Sequence, residues 1–83
     1  MMVYLIHFAQ PYRHARHYLG YTEDLAQRIT EHREGKGARL MSVVHRAGIS
    51  WVVSRTWEGG RDVERKLKRW HKSPDLCPIC RGR

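Results

Sequence analysis

Two glycine breaks constrain this chain more than any other feature. Gly35-Lys36-Gly37 and Gly59-Gly60 supply backbone that helix and strand interiors tolerate poorly, so no regular element is expected to cross either. Within 83 residues that leaves three short stretches, each with its own pattern. Residues 3–8 (Val-Tyr-Leu-Ile-His-Phe) and 17–22, with Tyr18 and Tyr21, read as strands. Between them residues 10–16, opened by Pro11, read as a hairpin connection. Thr22 or Asp24 can cap a helix to about Glu34, in which Leu25, Arg28, Ile29 and His32 recur at helical spacing. Residues 49–57 (Ile-Ser-Trp-Val-Val-Ser-Arg-Thr-Trp) are strand-like. Asp62 can cap a last helix to about His71, with Val63, Leu67 and Trp70 as one apolar stripe and Pro74 closing it. Residues 38–46 fit either a short helix or a turn.

The order is β-β-α-β-α. It implies a small α/β (α+β) domain with a three-stranded, mostly antiparallel sheet flanked by helices. The length excludes a two-domain enzyme, a barrel or a doubly wound nucleotide fold. A hydrophobic share of 41% with three tryptophans and four tyrosines argues against disorder. No run approaches the roughly 18 apolar residues of a membrane span. The first residues also lack the basic lead and cleavage site of a signal peptide. The expectation is a cytoplasmic protein of bacterial or phage-like type, with no membrane partner.

Charge narrows the partner. Sixteen Lys+Arg against eight Asp+Glu leave a net +8, unevenly spread. Residues 61–83 hold eight Lys/Arg and three acids, and residues 1–22 hold no acid but carry Arg13 and Arg16. Such a field attracts phosphate backbones. No long basic amphipathic helix is present to lie on a lipid surface, so nucleic acid is the better fit.

Five side chains then stand in a telling order. Tyr4 lies in the first strand, Tyr18 begins Tyr18-Leu19-Gly20 in the second, Arg28 and His32 share a helix face four residues apart, and Glu64 sits in the first turn of the last helix. Val-Tyr-Leu and Tyr-Leu-Gly stand where the GIY-YIG nuclease superfamily has its Gly-Ile-Tyr and Tyr-Ile-Gly. Arg28-Ile-Thr-Glu-His32 is similar to its helix motif, and Glu64 to its metal-binding glutamate. The chain thus resembles a compact single-domain member over residues 3–72.

The resemblance implies a divalent-metal-dependent DNA endonuclease: Tyr4 as general base, Arg28 clamping the transition state, and Glu64 holding Mg²⁺ or Mn²⁺. Tyr18 would order the phosphate or water, and His32 would support Tyr4. It also implies products with a 5′-phosphate and a 3′-hydroxyl. The chemistry suits the residue types. A lone carboxylate suits Mg²⁺, which retains waters. A guanidinium fork fits two phosphate oxygens, and a tyrosine can move a proton once its pKa is brought down from about 10. Arg13, Arg16, Lys36, Arg39, Lys68 and Lys72 are the candidate DNA-backbone contacts, on the hairpin, the loop at 35–39 and the last helix. Such contacts carry no base information, so structured or branched DNA, or a homodimer or larger assembly, would supply specificity.

Each residue also has a plainer reading. The tyrosines can be half-buried strand aromatics, Arg28 a surface partner of Glu31 or Asp24, His32 a core-edge histidine, and Glu64 a first-turn acid favoured by the helix dipole. Three departures from the family pattern stand out. The separation of Tyr4 and Tyr18 is long, Val3 replaces a glycine, and the chain has no asparagine where many members carry one near the end, leaving Lys72 or Ser73 in that neighbourhood. A catalytically silent DNA- or RNA-binding module is therefore the alternative reading.

The boundaries expected are a nuclease-like domain at 1–73 and a short tail at 74–83. The tail carries Cys77-Pro78-Ile79-Cys80, the spacing of half a zinc site. His71 is the nearest candidate third ligand, and His7, His14, His17 or His45 are available only through the fold. A structural Zn²⁺ clip, redox or disulfide chemistry, reduced thiols, and a zinc-linked interaction module all remain open at this level.

Overall fold

The computed structural model describes residues 1–69 and 76–81. Its elements are β1 (Met2–Tyr12), β2 (Ala15–Thr22), α1 (Leu25–Arg33), α2 (Arg39–Arg46), β3 (Trp51–Glu58), α3 (Arg61–Arg69) and a final helical turn, α4 (Pro78–Arg81). The expected order β-β-α-β-α is present, with α2 resolving the ambiguous stretch as a helix. Trp70, His71, Lys72 and Pro74 lie outside the described residues.

The sheet order is β2-β1-β3, and both pairings are antiparallel. The central strand is the one whose sequence is almost unbroken in apolar character, because both its faces are covered. Tyr4, Ile6 and Phe8 pack with Met41, Val44 and Ile49 on one face. Val3 and Leu5 pack with Leu19, Leu67 and Cys77 on the other. Each large side chain buried in this way contributes roughly 1.5–3 kcal/mol. Val63 also packs on this second face, so two members of the apolar stripe face the sheet as expected. Among the described residues no helix is long and apolar enough to cross a membrane.

Two local expectations need correction. Residues 10–16 are not simply a loop. The strands run on to Tyr12 and from Ala15, closing through Arg13 and His14, with Arg13 at φ 55. A register shift between His7 and Tyr12 absorbs the polar, proline-containing segment. Likewise Asp62 does not precede the last helix; it lies inside the first turn of α3, beside Glu64.

The other punctuation acts as its chemistry dictates. Asp24 caps α1 by accepting from the Gln27 amide at 3.1 Å. Gly35 (φ 79) and Gly37 (φ 90) then turn the chain back. A second irregularity separates Leu5 and Ile6 against β3, where the Ser54 hydroxyl donates to the Leu5 carbonyl at 3.3 Å.

Candidate active site

Tyr4 and Tyr18 project from the face of the sheet that carries α1 and α2. Gly20 lies directly opposite Tyr4 in the β ladder, and its missing side chain is a structural requirement. A Cβ there would stand 2.7 Å from the Tyr4 hydroxyl and 2.9 Å from Tyr18 Cε2. The two phenol rings sit 6.1 Å apart.

Behind Tyr4 lies His32, fully buried in the last turn of α1. Its Nδ1 is 3.0 Å from the Lys36 carbonyl oxygen. A carbonyl only accepts, so Nδ1 carries the proton. Burial lowers the His32 pKa; the hydrogen bond to the Lys36 carbonyl opposes it as the next largest effect, and the Arg28 charge adds a smaller lowering. The ring is thus neutral near pH 7, and its bare Nε2 accepts from the Tyr4 hydroxyl at 2.7 Å. Gly37 seats the arrangement: a Cβ on it would come within 3.2 Å of both Arg28 Nη1 and His32 Cε1.

Arg28, one turn earlier on the same helix, leans toward Glu31, but the separation of 3.8 Å is an ion pair and not a hydrogen bond. Its Nε is buried with no hydrogen-bond partner among the described residues. Glu64 approaches from α3 with its side chain only 14% exposed and Lys68 Nζ 3.5 Å away.

Tyr4, Tyr18, Arg28 and Glu64 line one open cleft of about 630 Å³; His32 does not line it but stands behind Tyr4. Electrostatics tie the group together. Burial raises the Tyr4 pKa well above its ordinary 10.0; the charges of Tyr18 and Glu64 raise it further, and Arg28 opposes them. Tyr18 is raised as well, first by burial. Both phenols are therefore protonated at neutral pH. The cleft offers an oxygen ligand of magnesium type in Glu64, open space for metal-bound waters, and in Arg28 a lining guanidinium, a group suited to phosphate oxygens.

The candidate DNA contacts are more scattered. Arg13, Lys36, Arg39 and Lys68 are exposed, and Arg16 is half-buried. Arg13 lies over the Tyr12 ring at the hairpin tip, and Lys68 is held beside Glu64. Lys72 and the zinc candidate His71 lie outside the described residues.

A second constellation forms on the opposite face of the sheet. Cys77 and Cys80, both free thiols, meet His7 and His17, with one ligand atom from each within 4.8 Å of the others. This His/Cys cluster could hold a metal ion. Sequence reasoning named these histidines only among distant options. The usable signal was the hairpin itself, since one unbroken register from Met2↔Thr22 to His7↔His17 sets the two histidines opposite each other. His14 and His45 take no part in the cluster. Burial lowers the His17 pKa, and His7 and Arg16 lower it further. Burial would raise the Cys77 thiol, but its hydrogen bonds with Ser54 and with the backbone of Cys80 and Ile79 reverse this, so its pKa is lowered.

No curated protein and no solved structure matches the chain significantly. The GIY-YIG catalytic domain matches residues 1–76, nearly its whole length, and the chain belongs to the GIY-YIG family.

Proposed function

We propose that this member of a nuclease family is a divalent-metal-dependent DNA endonuclease, with the cleft between α1 and α3 as its active site. The observation that carries the reading is the meeting of Tyr4, Tyr18, Arg28 and Glu64 on that one cleft. The catalytic unit is residues 1–73, followed by the tail at 74–83.

Phosphodiester hydrolysis needs an activated water, neutralised phosphoryl charge and a stabilised leaving oxygen. Arg28 binds two non-bridging oxygens through its guanidinium fork. Tyr4 takes a proton from the attacking water onto its hydroxyl oxygen and passes its own proton to Nε2 of His32, so no buried tyrosinate forms. Tyr18 donates a hydrogen bond to the phosphate. The P–O3′ bond breaks, and the departing oxygen takes a proton from solvent, leaving a 3′-hydroxyl and a 5′-phosphate. Glu64 would hold Mg²⁺ or Mn²⁺, which supplies Lewis-acid stabilisation of the phosphoryl and leaving oxygens.

Arg13, Arg16, Lys36, Arg39, Lys68 and Lys72 hold the DNA backbone. Because these contacts do not read sequence, the target is structured or branched DNA, or is set by a homodimer or larger assembly. The test is nicking of supercoiled plasmid with Mg²⁺, with EDTA, and with Glu64→Gln. Mg²⁺-dependent nicking that EDTA and the substitution both abolish is the expected result. Equal nicking by wild type and Glu64→Gln sinks the metal assignment. Cleavage of linear, nicked, flapped and four-way-junction DNAs then identifies the substrate.

A further inference from the structure

The cluster on the far face of the sheet has a geometry that hydrogen bonding does not explain. His7 Nδ1 lies 3.3 Å from His17 Nε2, 3.5 Å from Cys77 Sγ and 3.6 Å from Cys80 Sγ. Cys80 Sγ lies 3.4 Å from His17 Nε2. A neutral imidazole nitrogen has one proton or one lone pair, so it cannot satisfy three such partners at once. The four ligand atoms instead lie together, all within 4.8 Å of one another.

The separations are those of a metal's coordination shell. With Zn–N of about 2.0–2.1 Å and Zn–S of about 2.3 Å, a tetrahedron has N···N edges of roughly 3.3–3.4 Å and N···S edges of roughly 3.5–3.6 Å. The one N···N and three N···S distances lie within about 0.2 Å of those values.

We propose that His7, His17, Cys77 and Cys80 form a structural zinc site that fastens the C-terminal segment to the β1 and β2 hairpin. Two thiolates and two imidazoles select zinc over the hard cations that suit Glu64. All four positions are taken by protein, which distinguishes a structural site from a catalytic one. Cys77 is completely buried and His7 nearly so. The Ser54 hydroxyl oxygen, 3.4 Å from Cys77 Sγ, accepts from the thiol while its own proton goes to the Leu5 carbonyl. His71 is not needed as a ligand.

The fold explains the use of such a site. His7 and Tyr4 stand three residues apart on β1, facing opposite sides of the sheet. The zinc therefore fixes the strand that carries the Tyr4 phenol without entering the cleft. It also seats Leu76, Cys77 and Ile79 against the second core cluster. A chain this short has little core of its own, and metal binding adds directly to its folding free energy.

The test uses the full chain, purified under reducing conditions without a polyhistidine tag, and its readout is metal content, independent of nuclease activity. Wild type, His14→Ala and His71→Ala should each carry one zinc per chain, and His17→Ala and Cys80→Ser should lose it. Zinc-free wild type, or zinc retained in His17→Ala and lost in His71→Ala, overturns the assignment. Replacing the metal in wild type with Co²⁺ guards against variants that fail to fold. Visible bands of tetrahedral cobalt with thiolate charge transfer support the site, and an octahedral spectrum rejects it.

Discussion

The Tyr4 hydroxyl donates to Nε2 of His32 across 2.7 Å, while Nδ1 of the same ring donates to the Lys36 carbonyl. The loop after α1 thereby sets the tautomer of a histidine whose other nitrogen faces the phenol. Burial opposes ionising Tyr4 in place. A phenol that can pass its proton to a neutral imidazole avoids that cost, which favours the proposed relay over a standing tyrosinate.

Tyr4→Phe should reduce the plasmid-nicking rate by about 10²–10⁴-fold, the usual worth of a positioned general base. It leaves Nε2 of His32 buried without its donor, costing about 1–3 kcal/mol in denaturant unfolding. Full activity in Tyr4→Phe would remove Tyr4 from the proton path whatever happened to stability.

Gly20→Ala tests the placement of the same phenol without touching its chemistry. The added Cβ meets the Tyr4 hydroxyl at 2.7 Å, so the ring must shift. A stability loss of about 1–3 kcal/mol is expected, with nicking down by at least tenfold because ångström-scale displacement disrupts alignment. Gly48→Ala is the control. Its Cβ meets nothing within 4 Å, but its φ of +73 is strained for a side chain. It should lose about 1–2 kcal/mol while keeping the wild-type rate.

Much of this arrangement was legible in the sequence because local chemistry and tertiary structure agree. The Val-Tyr-Leu-Ile-His-Phe run, rich in β-formers, marked a strand, which the structure buries on both faces, and Asp24 and Gly35 bounded α1 where expected. The hairpin tip was misread because Pro11 and polar neighbours signal a loop, whereas a two-stranded ribbon with a register shift accommodates them in solvent. Helix α2 stayed ambiguous because eight residues give too few turns for periodicity to decide; Met41 and Val44 are buried only because the sheet lies beneath them. Glu64 comes to a cleft with Tyr4 across 60 positions, which no local pattern encodes, and only the family resemblance pointed to it. His7 and His17 could have been paired from the hairpin register, but their meeting with Cys77 and Cys80 depends on how the chain end crosses the sheet.

pH should act through His32. Its folded-state pKa is lowered from 6.5, burial being the first cause, so the folded protein prefers the neutral ring and the unfolded chain takes up the proton first. The stability this contributes is complete above 6.5 and is lost as pH falls through the lower folded value. Nicking should show an acid limb below 6.5, where protonated Nε2 can no longer accept from Tyr4. His17 shifts in the same direction, so the His32 contribution is read as the difference between wild type and His32→Gln in denaturant melts across pH 5–7.5. Identical slopes in the two proteins would dissociate the pH response from this ring.

Arg28→Lys separates a phosphate clamp from a structural arginine. The change keeps the charge but loses the planar fork, and nicking should fall by about 10²–10³-fold, the worth of a lost donor to transition-state charge. Stability should move the other way from a structural residue's. The Arg28 Nε is buried without a hydrogen-bond partner among the described residues, so removing it breaks no hydrogen bond and relieves an unsatisfied donor. The ion pair to Glu31 is long and about one-third exposed, and such pairs contribute little. Unfolding free energy should therefore stay within about 0.5 kcal/mol of wild type or rise slightly. DNA binding in EDTA, measured by fluorescence anisotropy, should weaken much less than nicking, because the clamp acts on charge that develops during the reaction. A large drop in melting temperature with activity lost only in proportion to unfolding would instead assign Arg28 to the fold.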